Sequence, residues 1–392
     1  MPSRKQSATS SAKSKAAGLA TPATVIALSV AALTVLGLAV LFSASLPVDR
    51  DEPYRFIEKQ AIWAGVTFFV GLAILRIDLE WARKLAWPVY ALCLVGLGLV
   101  LVEGVGVTVN GSRRWIPLGP VNLQVSEFAK LGAVFLLAHF LGSKRREERG
   151  FWNGFVLPCL LAAAPVGLVL MQTDLGTALL LAAVCFCLLF LSGARLLWLV
   201  PSALGGAAAA FALVASDPVR WRRLSAFFDL EGDKAGAGYQ AFQALLAFGA
   251  GGVEGVGLGN GRQQLNFLPE AHNDFIFAIV GEELGLVATL GVVALYATLF
   301  VACLLHLRKA PNLYQYLLAS GCLLLVSAQA LMNLGVVTGV LPTTGLPLPF
   351  ISYGGSNFLA MGVCVAVLVN TSFAWKAPAL KQKQRHLKEI EA

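Results

Sequence analysis

Ten apolar runs, each close to the length a helix needs to cross a bilayer, divide this 392-residue chain. They fall at 23–45, 59–75, 86–103, 125–142, 153–171, 175–192, 197–215, 276–305, 314–336 and 356–374. A helix of about 20 residues spans the hydrocarbon core, and inside lipid every backbone N–H and C=O must find a partner within the protein. The chain is 57% hydrophobic and 13% charged, against about 25% charged in soluble domains. The expected fold is therefore an all-α polytopic membrane protein of about ten transmembrane helices. A basic tail (1–22) precedes the membrane domain (23–374) and a second basic tail (375–392) follows it. No small-residue cleavage site follows a short apolar core, so the first run is expected to stay in the membrane. Only Gln172, Thr173 and Asp174 separate the fifth run from the sixth.

The net charge of +8 raises the question of nucleic acid, but its distribution argues against that partner. The basic residues cluster in short segments between apolar runs, which is the topology signal of a membrane protein. With the N-terminus in the cytoplasm, 19 of the 30 Lys and Arg residues lie inside. Both termini are thus expected to be cytoplasmic. The segments 104–124, 216–275 and 337–355 then face outward. The sixty residues of 216–275, between the seventh and eighth spans, form an unusually large connector. Its stretch from Tyr239 to Leu258 is apolar and glycine-rich, of amphipathic or re-entrant character. No internal repeat is visible. The seven cysteines all lie in apolar runs without metal-ligand spacing, so they read as small packing residues, with no disulfide and no metal centre.

Four polar constellations stand out against this background. Glu270, His272 and Asp274 occupy the end of the long connector, and Asp274 is the last ionisable group before the apolar run that follows. It reads either as a helix N-cap or as a general base beside a groove, and the two roles are compatible. In a helical turn, Glu270 and Asp274 would raise one another's pKa, although Pro269 works against that geometry. No second histidine stands at ligand spacing, so His272 reads as a positioning or interfacial residue. Arg113 and Arg114 beside Trp115 suit an anionic lipid headgroup, because guanidinium forks onto phosphate; an ordinary interfacial belt is the alternative. Glu127 and Lys130 are three apart at the start of a span and share a helix face. They read as part of a polar site or its immediate support, or as a structural pair. Asp174 is a carboxylate at another outer helix end and a further candidate N-cap. The stretch Pro342 to Asn357 holds Pro342, Pro347 and Pro349, which forbid a regular helix. Unwound backbone at membrane depth is tolerated only where protein or water covers it, so this segment is expected to line a cleft and to offer it Ser352, Tyr353 and Ser356.

Taken in order, these segments, with Gly281-Glu282-Glu283-Leu284-Gly285, resemble the SEDS family of bacterial peptidoglycan glycosyltransferases, which comprises FtsW, RodA and SpoVE. The resemblance covers residues 25 to 374. It implies a ten-helix bundle with a large outer loop between the seventh and eighth helices, and polymerisation of lipid II into glycan strands. It maps the family's essential loop aspartate onto Asp274 and its polar cluster onto Arg114, Trp115, Glu127 and Lys130. It also implies a class B penicillin-binding protein and other division proteins as partners, in the bacterial cytoplasmic membrane. Val125, Thr173, Asn273 and Asn357 depart from the family's usual residues, yet every ionisable group remains. Gly257 to Gln263 and Leu268 to His272 are more similar to FtsW or SpoVE than to RodA, which implies a division role over elongation.

The implied chemistry is an inverting transfer at the outer face. Asp274 would take the proton of an acceptor 4-hydroxyl while that oxygen attacks the donor sugar. Asp174, Glu270, His272, Ser352, Tyr353 and Ser356 join Arg114, Trp115, Glu127 and Lys130 as candidate substrate contacts. Arg114, Lys130 or a divalent cation would stabilise the departing pyrophosphate. No dedicated metal motif is present, so Mg²⁺ or Mn²⁺ would be held weakly and shared with pyrophosphate. Two other classes compete: a flippase or transporter for the lipid-linked precursor, and a non-catalytic division scaffold. A transporter should carry midplane charges and an internal repeat, whereas here the charges crowd at the outer ends.

Overall fold

All ten apolar runs fold on helices. The computed structural model describes residues 21–45, 54–109, 111–119, 121–143 and 150–375. The expected basic tails, the basic cluster at 144–149 and Asn110 lie outside the described residues, apart from Thr21, Pro22 and Trp375. In chain order, α1 (Pro22–Ser45) and α2 (Arg55–Ile74) lead to a short α3 (Leu79–Lys84) and to α4 (Ala86–Leu101). Strands β1 (Val107–Val109), β2 (Ser112–Leu118) and β3 (Val121–Gln124) precede α5 (Val125–Ser143). A π-helical turn (Trp152–Val156) opens α6 (Leu157–Met171), followed by α7 (Leu175–Leu191) and α8 (Leu196–Ala215). The long connector holds α9 (Pro218–Phe228), α10 (Tyr239–Gly251) and a second π-helical turn (Gln263–Phe267). Helices α11 (Ile276–Leu307), α12 (Leu313–Val337) and α13 (Gly355–Ala374) complete the order. Eight helices are long and apolar enough to cross a membrane, among the described residues. Helices α4 and α7 are equally apolar but shorter, at 16 and 17 residues.

The fold is helical as expected, with one small sheet added. Residues 107–124 form a three-stranded antiparallel sheet in the order β1-β2-β3. Pro117 keeps this stretch out of a helix, and Gly111 (φ +77°) and Gly119 (φ +67°) supply the left-handed turns that reverse the chain. Trp115 stands opposite Val107 on one side and Gln124 on the other.

The bundle is built around α5, α12 and α13, each 67% buried over its most apolar stretch, while α8 is 6% buried and turns its side chains outward. Small residues allow this close approach, as they do generally between membrane helices. A Cβ on Gly142 of α5 would lie 2.6 Å from the Cα of Tyr314 on α12.

The long connector is anchored by a break in α11. At Gly285 the backbone leaves helical geometry (φ +73°, ψ −170°). The interruption frees the carbonyls of Glu282 and Glu283, which accept the N–H groups of Val256 (3.0 Å) and Gly257 (2.9 Å). The side chain of Glu282 accepts from Arg262 N–H at 2.8 Å, and that of Glu283 from Gly259 N–H at 3.1 Å and the Ser43 hydroxyl at 2.6 Å. Two buried glutamates thus clamp a glycine-rich loop whose own backbone lacks regular partners. The stretch expected to be amphipathic or re-entrant begins as α10, which packs along α11 and ends in this loop.

Candidate active site

The proline-bearing segment between α12 and α13 is held by side chains that reach it from several helices. Gln329 Nε2 donates to Pro347 O at 2.8 Å, Asn333 Nδ2 to Leu346 O at 2.8 Å, and the Tyr296 hydroxyl to Pro349 O. Gln60 of α2 donates to Ser352 O at 3.2 Å and accepts from Gly354 N–H at 3.2 Å. Gly37 of α1 makes room: a Cβ there would sit 2.6 Å from Ile351 Cα. Non-helical backbone deep in the bundle is therefore satisfied by protein, as lipid requires.

Asp274 meets this segment from the other side. It sits in the turn just before α11, and its carbonyl accepts a 2.7 Å hydrogen bond from the same Asn333 Nδ2. Its carboxylate lies beside Gly345, where a Cβ would be 3.7 Å from Oδ2. The N-cap alternative fails here: the cap position of α11 is Phe275, with no side-chain cap bond. The carboxylate is thus free of that structural duty. Partial burial pushes its pKa up to about 7. Its own N–H opposes the rise, the charge of Glu270 adds to it, and Arg223 and Arg114 pull against it.

The other members of the turn are also in place. Glu270 has a left-handed backbone (φ +55°) and accepts from Asn273 Nδ2 at 2.9 Å, so 270–274 is a strained turn and not a helix. The His272 carbonyl accepts Tyr353 N–H at 3.0 Å, and its ring lies tilted against Phe56 (centroids 4.9 Å apart) and Tyr353 (6.1 Å). Burial lowers the His272 pKa despite the neighbouring Glu270.

Arg114 and Asp174, sixty residues apart, form an ion pair of 2.9 Å between β2 and the start of α7. Asp174 is at once a cap: it accepts from Thr177 N–H (3.0 Å) and from the Thr177 hydroxyl (2.9 Å). Gly176 then packs on the proline-bearing segment, with a would-be Cβ 2.7 Å from Thr344 O. A continuous line of contacts therefore runs from Arg114 through Asp174 and Thr344 to Gly345 and Asp274. Along it, Arg114 Nε, Trp115 Nε1 and Thr344 Oγ1 are buried without hydrogen-bond partners among the described residues.

Glu127 and Lys130 lie deeper. They pair at 3.0 Å, and both are essentially unexposed. Lys130 Nζ donates to Gln329 Oε1 at 2.8 Å, and Asn357 Nδ2 to Glu127 Oε2 at 2.6 Å. Through Gln329 this network ends on Pro347, so the pair braces the segment from beneath. Ser352 and Ser356 are likewise turned inward, contrary to the expectation that they face a cleft. Ser352 Oγ accepts Leu348 N–H (2.7 Å), and Ser356 Oγ accepts Gln124 N–H (3.0 Å). Tyr353 stays half-buried in the aromatic cluster.

Sequence reasoning missed Gln60, Arg223, Gln329 and Asn333. The last two were marked by being polar and four apart on an otherwise apolar helix, hence on one face. Arg223 carried no such local signal.

A half-buried carboxylate on a braced turn, with guanidinium groups nearby and unclaimed N–H donors, can accept a proton next to an anionic ligand. Fold and site together define a multi-pass membrane protein with a polar centre set where broken segments meet the helix ends. The chain belongs to the FtsW, RodA and SpoVE family, whose model, described as a cell cycle protein, matches residues 23–376. It is 41% identical over 346 residues to the "Probable peptidoglycan glycosyltransferase FtsW" of Hahella chejuensis, covering 86% of this chain and 87% of that one. It is 36% identical to stage V sporulation protein E of Bacillus subtilis, covering 87% and 93%. Among solved structures it is similar to a chain of a peptidoglycan synthase complex that coordinates polymerization and crosslinking (TM-score 0.75, 29% identity, 90% of this chain and 98% of that). It is also similar to the rod shape determining protein RodA of Thermus thermophilus (TM-score 0.64, 31% identity, 88% and 95%).

Proposed function

We propose that Asp274 is the general base with which this peptidoglycan glycosyltransferase polymerises lipid II. The acceptor's 4-hydroxyl oxygen attacks the anomeric carbon of the donor sugar, and its proton passes to the Asp274 carboxylate. The bond to pyrophosphate breaks, and the leaving group keeps the electron pair. A single displacement converts an α-linked donor into a β-1,4 glycan. Pyrophosphate leaves readily, so no glycosidase-like acid partner is required. What the step needs is stabilisation of the departing negative charge. Arg114 suits that task, being half-buried with an unclaimed Nε–H. Lys130, enclosed with Glu127, acts at a distance by bracing the segment that faces Asp274.

The observation that carries this reading is Asp274 itself: a carboxylate released from helix capping, with a pKa near 7. A general base works best when its pKa lies near the working pH. Among the described residues no three His, Cys, Asp or Glu side chains converge. A Mg²⁺ or Mn²⁺ ion in this reaction would therefore be shared with the substrate's pyrophosphate. The FtsW names of relatives support a role in division. The bias of Lys and Arg supports cytoplasmic termini and a site on the outer face of the bacterial cytoplasmic membrane. Likeness to a complex that joins polymerization to crosslinking supports a class B penicillin-binding protein as partner.

The test is strand synthesis from labelled lipid II by the purified protein with its transpeptidase partner, wild type against Asp274→Asn. Strands from the wild type and none from a folded variant are expected. Equal synthesis by both would move the base elsewhere. Synthesis by neither would return weight to a flippase or scaffold.

A further inference from the structure

Helix α9 carries three arginines, and its surroundings treat them differently. Asp217 caps the helix through the N–H groups of Val219 (2.9 Å) and Arg220 (3.3 Å), and pairs with Arg220 Nε at 3.2 Å. Arg223 is exposed and has no carboxylate partner among the described residues. It lines a depression together with Ala226 and Phe227, three and four positions on and so on its face, and with Leu230 just past the helix end. The facing wall is Gly339, Pro342 and Thr343, the stretch that continues to Gly345, beside the Asp274 carboxylate. Arg222 does not line this depression.

A solvated arginine on a loop helix is ordinarily an interfacial charge that reaches for headgroups. Two observations set Arg223 apart. It lines a depression whose other wall is the segment that leads to the site, and its positive charge favours the ionised form of Asp274. Arg114 has already committed Nη1 to Asp174, whereas Arg223 keeps its whole fork for an incoming anion. Planar, bidentate binding of phosphate is what that fork does best.

We propose that Arg223 is a further substrate-binding residue, which seats the pyrophosphate of a lipid-linked sugar beside Asp274. This rests on the reading of Asp274 as the base of a transferase that uses such substrates. It places one phosphate-binding arginine on the long connector and another on the sheet, so that substrate joins the two.

The test measures equilibrium binding of labelled lipid II to the protein in phosphatidylcholine nanodiscs, in an Asp274→Asn background so that bound substrate is not consumed. Arg223→Gln should weaken binding about tenfold, the loss of one charge-assisted contact. Arg223→Lys should fall between, and Arg222→Gln should bind like its parent. Equal affinity for Arg223→Gln and Arg222→Gln would overturn the proposal. So would a loss seen only when phosphatidylglycerol is added, since Arg223 would then be reading bulk headgroups. Strand synthesis by the wild type against Asp274→Asn, both with Arg223 intact and in the same nanodiscs, tests the role of Asp274 by itself, so the two readings can fail separately.

Discussion

The side-chain nitrogen of Asn333 lies 2.7 Å from the carbonyl oxygen of Asp274 and 2.8 Å from that of Leu346. One buried amide therefore ties the turn that carries the carboxylate to the broken segment that faces it. Asn333→Ala removes both bonds and lets the turn shift. Misplacing a catalytic group by about 1 Å costs roughly 100-fold, so kcat for strand synthesis should fall by about that factor with little change in KM. An unchanged kcat in a folded variant would mean that the turn is held by other contacts.

With Asp274 as the proposed base, its proton affinity sets the pH response. Burial raises its pKa from 3.8 to about 7, and only the ionised form is a base. Turnover should therefore climb as pH rises through about 7 and level off above it. Glu270→Gln removes a charge that contributes to the rise and should move the acid limb down. Stability runs the opposite way. The native carboxyl holds its proton more tightly than the unfolded one, so its contribution declines as pH rises from about 4 through 7. Asp274→Asn should flatten that decline in a thermal melt.

Asp174 does two jobs that substitution can separate. Asparagine caps a helix about as well as aspartate but cannot ion-pair. Asp174→Asn should keep the melting temperature while lowering turnover by about tenfold through a misplaced Arg114. Asp174→Ala should lose the cap as well, at a cost of about 1 kcal/mol. Matching melting curves for the two variants would mean that the Thr177 contacts contribute nothing.

Lys130→Met should be the most damaging of the polar-core changes. It strands the Glu127 charge in a dry interior, where Asn357 Nδ2 donates to it at 2.6 Å. Breaking a buried pair from one side costs about 3–5 kcal/mol. The double change Glu127→Gln with Lys130→Met should cost less than Lys130→Met alone, read by thermal unfolding in detergent. Simple additivity would show that the two charges do not interact.

Gly285→Ala tests the clamp on the long connector. The φ of +73° and ψ of −170° belong to a region reserved for glycine, and forcing another residue there costs about 1–3 kcal/mol. A Cβ would also lie 2.7 Å from the carbonyl carbon of Glu254. Amide exchange at Val256 and Gly257 should accelerate while the centre of α12 stays protected. Uniform acceleration would point to global destabilisation instead.

The helices were legible from the chain because a long apolar run in lipid must satisfy its backbone within itself, and each of the ten apolar runs lies on a helix. Their ends were nearly as readable, and so was the local pair Glu127–Lys130, because three residues apart on a helix is a contact by geometry. Asp274, Arg114 and Asp174 could be picked as candidates by type and position. Their division of labour could not. Asp174 caps its helix and Asp274 does not, although both are aspartates before apolar helices. The difference lies in Phe275, which takes the cap position, and in Asn333, fifty-nine residues away in sequence, which holds the Asp274 carbonyl. The sheet at 107–124, the inward turn of Ser352 and Ser356, and the approach of Arg223 were likewise decided by tertiary packing. A sequence displays the forces that act within a few residues. Which charge meets which across a bundle depends on how non-local elements pack, and that is settled only when their backbones are brought together.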